Sequence, residues 1–175
     1  MILVSQWKHY LIVALLVGSA CGGADGPLAP VAGTIGGQPF MGGSVAMVTE
    51  PNSDLGLFEI RIGEGDVCTD LRAGETPNTA HITIYVPKHS MLGTSPLIDP
   101  DVTDGDGPFV VALRLDGECK PTTVDIAAGT LTLTAFNQLQ IAGSLSATTP
   151  TGDHVAGQFA PTCVVERGPG CHSGL

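Results

Sequence analysis

An antiparallel β-sandwich is the fold this sequence predicts, with a small β-barrel as the alternative closure of the same strands. Three observations lead there. Apolar and polar residues alternate with period two over several short segments, and turn-forming clusters separate those segments. Past the first twenty residues, no stretch longer than a turn repeats with helical period. Strict alternation marks strands with one buried and one solvated face, and about seven to nine such strands fit the chain.

In chain order, residues 31–35 and 44–49 are short candidates. Phe58, Ile60 and Ile62 then alternate with Glu59 and Arg61, and Ile82, Ile84 and Val86 with His81, Thr83 and Tyr85. Phe109, Val111, Leu113 and Leu115 alternate with Val110, Ala112 and Arg114. The final third reads as a meander. Leu131 and Leu133 stand between threonines, Leu139, Ile141 and Leu145 fall opposite Gln140, Ala142 and Ser144, and Val155 and Phe159 continue the pattern. The separators include Pro51-Asn52-Ser53-Asp54, residues 73–78 and Thr151-Gly152-Asp153, all rich in residues that favour turns.

The N-terminus is of another kind. Lys8 and His9 give a thin polar start, and residues 10–17 form an apolar run within the 7–15 residues of a signal h-region. Gly18, Ser19 and Ala20 follow, then Cys21-Gly22-Gly23. The run is too short for a bilayer-spanning helix, which needs about 20 apolar residues. This arrangement resembles a bacterial lipoprotein signal, in which the cysteine becomes the lipidated first residue of the mature protein. Cleavage by the ordinary secretory route and a buried N-terminal helix are the alternatives.

The resemblance implies a signal helix over residues 1–20, a flexible tether over 21–30, one β domain over 31–163 and a C-terminal tail over 164–175. It also implies a location: the cell envelope, on the periplasmic or outer side of the outer membrane, with the membrane as partner through the lipid at Cys21. A single acyl chain binds a membrane only marginally, whereas two or more hold a protein stably.

Setting Cys21 aside leaves Cys68, Cys119, Cys163 and Cys171. An even number in an exported chain predicts up to two disulfides, with three possible connectivities. A local Cys163–Cys171 bridge would leave Cys68–Cys119 to close a loop of about 50 residues, and the spacing does not choose among the three. None of these cysteines has zinc-site spacing.

Composition narrows the partners. Apolar residues make up 43% of the chain and mean hydropathy is +0.28, so the body has the means to fold. Seven basic residues face 17 acidic, a net charge of −10. Nucleic acid is excluded as a partner, since phosphate contacts need clusters of Lys and Arg. Direct electrostatic attraction to anionic lipid heads is disfavoured for the same reason. The one tryptophan, Trp7, lies in the signal, so no indole platform serves sugar binding.

A second resemblance rests on Gly36-Gly37-Gln38-Pro39-Phe40 with Ser44-Val45-Ala46, Cys68-Thr69-Asp70-Leu71, Gly129-Thr130-Leu131-Thr132-Leu133, Ile141-Ala142-Gly143-Ser144-Leu145 and Val155-Ala156-Gly157-Gln158-Phe159-Ala160-Pro161-Thr162-Cys163. Over residues 31–163 this is similar to uncharacterised bacterial lipoproteins that open on a G-G-x-P-F strand and close on G-x-F/L-x-A hairpins ending at a cysteine. It implies an anchored β-rich domain and brings no catalytic residues.

No catalytic motif emerges. His81, His89, His154 and His172 lack ligand spacing, and His81 and His154 fall on polar strand faces expected to be solvated. There is no nucleophile elbow and no phosphate-binding glycine loop. One cluster invites a cation: Asp99, Asp101, Asp104 and Asp106, bounded by Pro100, Gly105 and Gly107. Calcium takes six to eight oxygen ligands, and short Asp/Gly loops supply them. The register departs from the EF-hand loop, and a solvated acidic loop is the alternative reading.

The expected role is that of a lipid-anchored envelope lipoprotein, not an enzyme, serving as a structural or protein-binding module. The alternatives are a calcium-dependent surface or adhesion module and a carrier for a small apolar ligand. No cofactor is expected beyond that calcium, and another envelope protein is the expected macromolecular partner.

Overall fold

The computed structural model describes residues 29–49, 56–74, 76–99, 106–126, 128–137 and 140–166. The expected signal helix, Cys21 and Cys171 lie outside them.

Twelve strands form two six-stranded sheets. The strands are β1 (Ala32–Ile35), β2 (Gln38–Met41), β3 (Ser44–Thr49), β4 (Leu57–Gly63), β5 (Ala80–Pro87) and β6 (Gly93–Pro96), then β7 (Phe109–Leu115), β8 (Pro121–Asp125), β9 (Ala128–Asn137), β10 (Gln140–Thr148), β11 (His154–Phe159) and β12 (Cys163–Glu166). The first sheet runs β2-β1-β11-β10-β9-β6 and the second β12-β3-β4-β5-β7-β8. Neighbours are antiparallel except β12, which lies parallel to β3.

The all-β sandwich is therefore present, with more strands than the seven to nine the alternation suggests. The additional ones are four or five residues long. β12 also carries the domain three residues past the boundary expected at 163.

The core lies between the sheets. Ile60 and Ile62 of β4, Ile82, Ile84 and Val86 of β5, Leu131 of β9, Ile141 and Leu145 of β10 and Phe159 of β11 are fully buried there. Burying each such side chain contributes about 1.5–3 kcal/mol relative to leaving it exposed. All buried residues of this core fall between Val31 and Phe159, so the domain carries its own hydrophobic centre.

Two faces differ from the alternation. On β7 the residues in the main core are Val110 and Ala112, because the register sets Val110 opposite Ile84 and Ala112 opposite Ile82; of the four expected inward, only Leu115 is buried. Phe109 and Tyr85 stack with ring centroids 4.6 Å apart on the opposite face of the sheet. That outer face is not solvated as expected. Glu59, Arg61, His81 and Thr83 are all buried, and Arg61 Nη2 pairs with Glu59 Oε1 at 3.1 Å. His81 thus departs from its predicted surface position, whereas His154 is exposed.

A short helix, α1 (Val67–Ala73), also breaks the expectation of no helix in the body. Asp66 caps it, its Oδ1 accepting from the Cys68 and Thr69 amides at 3.1 and 3.3 Å. Val67, Ala46, Val48 and Val165 pack into a second small core where α1 meets β3 and β12.

Two turns hold the sheets in register. Gly36 and Gly37 have φ of 60° and 71°, the left-handed pair that a two-residue β1–β2 hairpin requires. The Asp153 carboxylate grips that turn, accepting from the Gly37 amide at 3.0 Å, while its own amide donates to Thr149 Oγ1. The hydrogen bond from Thr34, with those from Gly37 and Gly36, holds the Asp153 carboxyl below its ordinary pKa despite the opposing effect of desolvation.

Candidate functional site

The cysteines give the first result. Cys68 on α1 and Cys163 at the start of β12 are joined, their Cα atoms 6.3 Å apart, within the range for a disulfide. The pairing follows from topology. The parallel register sets Cys163 opposite Ala46 on β3, while the Val67 amide donates to Ser44 Oγ at 2.8 Å, so α1 and β12 share one support. Cys119 is disulfide-bonded as well. The Cys68–Cys119 and Cys163–Cys171 arrangement is thereby replaced. Of the three connectivities, only the one containing Cys68–Cys163 remains.

The acidic loop is described in part. Asp99 and Asp106 stand at its two ends, and Asp101 and Asp104 lie outside the described residues. Its base is closed by the Ile98 amide donating to the Pro108 carbonyl at 2.9 Å. Among the described residues, no group of three or more His, Cys, Asp or Glu side chains converges as metal ligands would.

Among the described residues, apolar side chains from both sheets form one continuous buried cluster. A pocket lined by Ile35, Ala112, Val124, Ile126, Ala147 and Val155 leaves no room for a water molecule. A second, beside α1 and lined by Arg61, Glu64, Asp70, Thr79 and His81, holds about 10 Å³, the space of a single water.

A larger cleft lies at one end of the sandwich. It encloses about 290 Å³ and is lined by Phe58, Lys88, His89, Ser90, Phe136 and Asn137. Phe58 from the second sheet and Phe136 from the first meet edge to face, ring centroids 5.5 Å apart, and pack against the end of the core. Over them passes the chain leaving β5. The Lys88 amide donates to the Gly56 carbonyl at 2.8 Å and the Ser90 amide to the Pro87 carbonyl at 2.9 Å, which folds residues 87–90 into a turn. Lys88 and His89 are exposed, as are Met91 and Leu92 beyond them.

This site joins three segments far apart in sequence, so spacing could not reveal it. The local signal was legible nonetheless: a basic pair, Lys88-His89, followed by two large apolar residues just before Gly93 in an otherwise acidic chain. The cleft is cationic and hydroxyl-bearing at its rim and aromatic at its floor. Such a surface suits an anionic group carried on an apolar body.

No protein-family model matches the chain, and no curated protein or solved structure is similar to it.

Proposed function

We propose that this protein is a lipoprotein of the cell envelope, held at the outer membrane by acyl chains on Cys21, whose β-sandwich is a non-catalytic structural or protein-binding module. The observation that carries this reading is the Cys68–Cys163 disulfide, joined by the bonded Cys119. Disulfides form and persist in oxidising compartments, which supports export, the step that a signal ending at Cys21 would direct. The filled core supports a solid module rather than an apolar-ligand carrier, because aliphatic side chains occupy the space between the sheets.

The cysteine count sharpens the reading. With Cys68 and Cys163 joined and Cys119 bonded, Cys21 and Cys171 are the two that remain. Acylation of Cys21 therefore requires Cys119 to pair with Cys171. Expression of the full chain with membrane fractionation tests this directly. The N-terminal peptide is expected to begin at an acylated Cys21, and Cys21→Ala is expected to release the protein from membranes or block its processing. Retention of the variant, or a non-reducing peptide map that links Cys119 to Cys21, would refute the anchor.

A further inference from the structure

We propose that the turn at residues 88–92 is a membrane-contacting tip: Met91 and Leu92 enter the acyl boundary while Lys88 and His89 stand among the lipid phosphates. Met91 is 82% exposed and Leu92 63% exposed, two neighbouring large apolar side chains with no cover from the fold. Exposed apolar residues beside basic ones are the composition of interfacial membrane contacts. The charge is also unspent. Lys120 pairs with Glu118, Arg61 with Glu59 and Arg114 with Glu64, whereas Lys88 has no carboxylate partner among the described residues.

The position of the tip decides the occupant. Followed toward the N-terminus, the chain passes from Gly33, opposite Val155, through Ala32, opposite Ala156, to Ala29, whose carbonyl accepts from Gln158. It is therefore heading for Phe159, which pairs with Gly143. Gly143 lies three residues from Gln140, and Gln140 pairs with Asn137, a wall of the cleft beside Lys88 and His89. Three residues of strand cover about 10 Å. The domain is thus entered from the end that carries the tip.

Eight peptide steps separate Cys21 from Ala29, a reach of at most about 28 Å. Here the inference rests on the lipid-anchor reading, for a tether that short keeps the tip within range of the bilayer. It also raises the effective concentration of a contact that is weak by itself. The chain's net charge of −10 opposes adsorption elsewhere on its surface, which confines the contact to this end.

A single reporter tests it. Trp7 is the only tryptophan and lies in the signal, so Leu92→Trp makes residue 92 the sole tryptophan of the mature chain. The purified lipidated protein is reconstituted into phosphatidylethanolamine–phosphatidylglycerol vesicles, with and without brominated acyl chains, and its N-terminal mass is determined in parallel. The expected result is a blue-shifted emission quenched by the bromolipid. In the unlipidated chain from Gly22 onward, which contains the whole core, Met91→Asp is expected to lower vesicle partitioning at least about tenfold, the factor that burial of one such side chain supplies.

Unshifted, unquenched emission from a chain whose mass proves acylation would overturn the proposal and leave the anchor intact. An unacylated N-terminus would sink the anchor instead. The tip is then judged on the Gly22-onward chain, where quenching abolished by Met91→Asp sustains it and unquenched emission ends it. Self-association of that chain, lost with Met91→Asp and unaffected by vesicles, would assign the tip to a second copy and overturn the proposal.

Discussion

Replacing Cys68 and Cys163 together by alanine removes the link between α1 and β12 while keeping both small side chains in the minor core. Its cost is set mainly by the unfolded chain. The cross-link spans 95 residues, and the loop-closure relation gives about 4.7 kcal/mol at 25 °C for a loop of that size. Cys119 lies inside the span and is itself bonded, so the unfolded chain is already restrained. That lowers the expected loss to between about 3 and 4.7 kcal/mol. Against a total of about 5–15 kcal/mol for a domain, such a loss is severe.

Urea unfolding at constant pH is the assay. The midpoint is expected to fall, and the slope to rise as the released chain exposes more surface. A thermal scan should show a drop of about 6–19 °C, at about 2–4 °C per kcal/mol for a chain of this length. A loss under about 1 kcal/mol would refute the reasoning, because it would mean that β12 and α1 hold their places by packing alone and that the unfolded chain gains little freedom.

Three further outcomes are expected. Asp153→Asn should flatten the acid limb of a stability–pH curve: the native carboxyl has a depressed pKa, so its contribution is complete above the ordinary value near 4 and is lost as pH falls through the lower folded value. An unchanged acid limb would count against the grip on the β1–β2 turn. Gly143→Ala should destabilise by about 1–3 kcal/mol in the same urea assay, since a Cβ there meets the Thr132 carbonyl at the irregularity between Ala142 and Gly143; a neutral result would show that β9 can yield. Thermal unfolding in millimolar calcium and in EDTA should coincide, whereas calcium at about ten times Kd would add about 1.4 kcal/mol if the acidic loop bound it.

The strands legible in the sequence are those long enough to alternate against a single core. β4, β5, β9 and β10 each span seven or more residues and carry isoleucine or leucine at two or more of their inward positions. β6, β8 and β12 are four or five residues long (GTSP, PTTVD and CVVE) with no long apolar alternation, and they are strands because a neighbour offers an open edge. β7 misled because both of its faces are apolar, so its register across β5 had to decide which one turned inward.

α1 is too short to show helical period, although Asp66 ahead of it and Gly74 behind it were readable as its limits. His81 and Glu59 looked solvated because polar residues at alternate positions usually are; here the outer face of their sheet is itself covered. The disulfide was beyond reach for another reason. Spacing ranks loops by length, whereas the Cys68–Cys163 pair depends on β12 lying beside β3, which is a matter of topology.

That parallel pairing of β12 with β3 bears on how the chain acquires its structure. The first sheet needs β11 to receive β1, and the second needs β12 to receive β3, so each sheet joins strands from opposite ends of the sequence. A polypeptide delivered N-terminus first cannot complete the first sheet before Phe159 has emerged, nor the second before Glu166. Partners so distant in sequence make folding slow, because loop closure must precede the contacts that reward it. The last strand and its cysteine arrive together, so the bond to Cys68 can close only as the second sheet does.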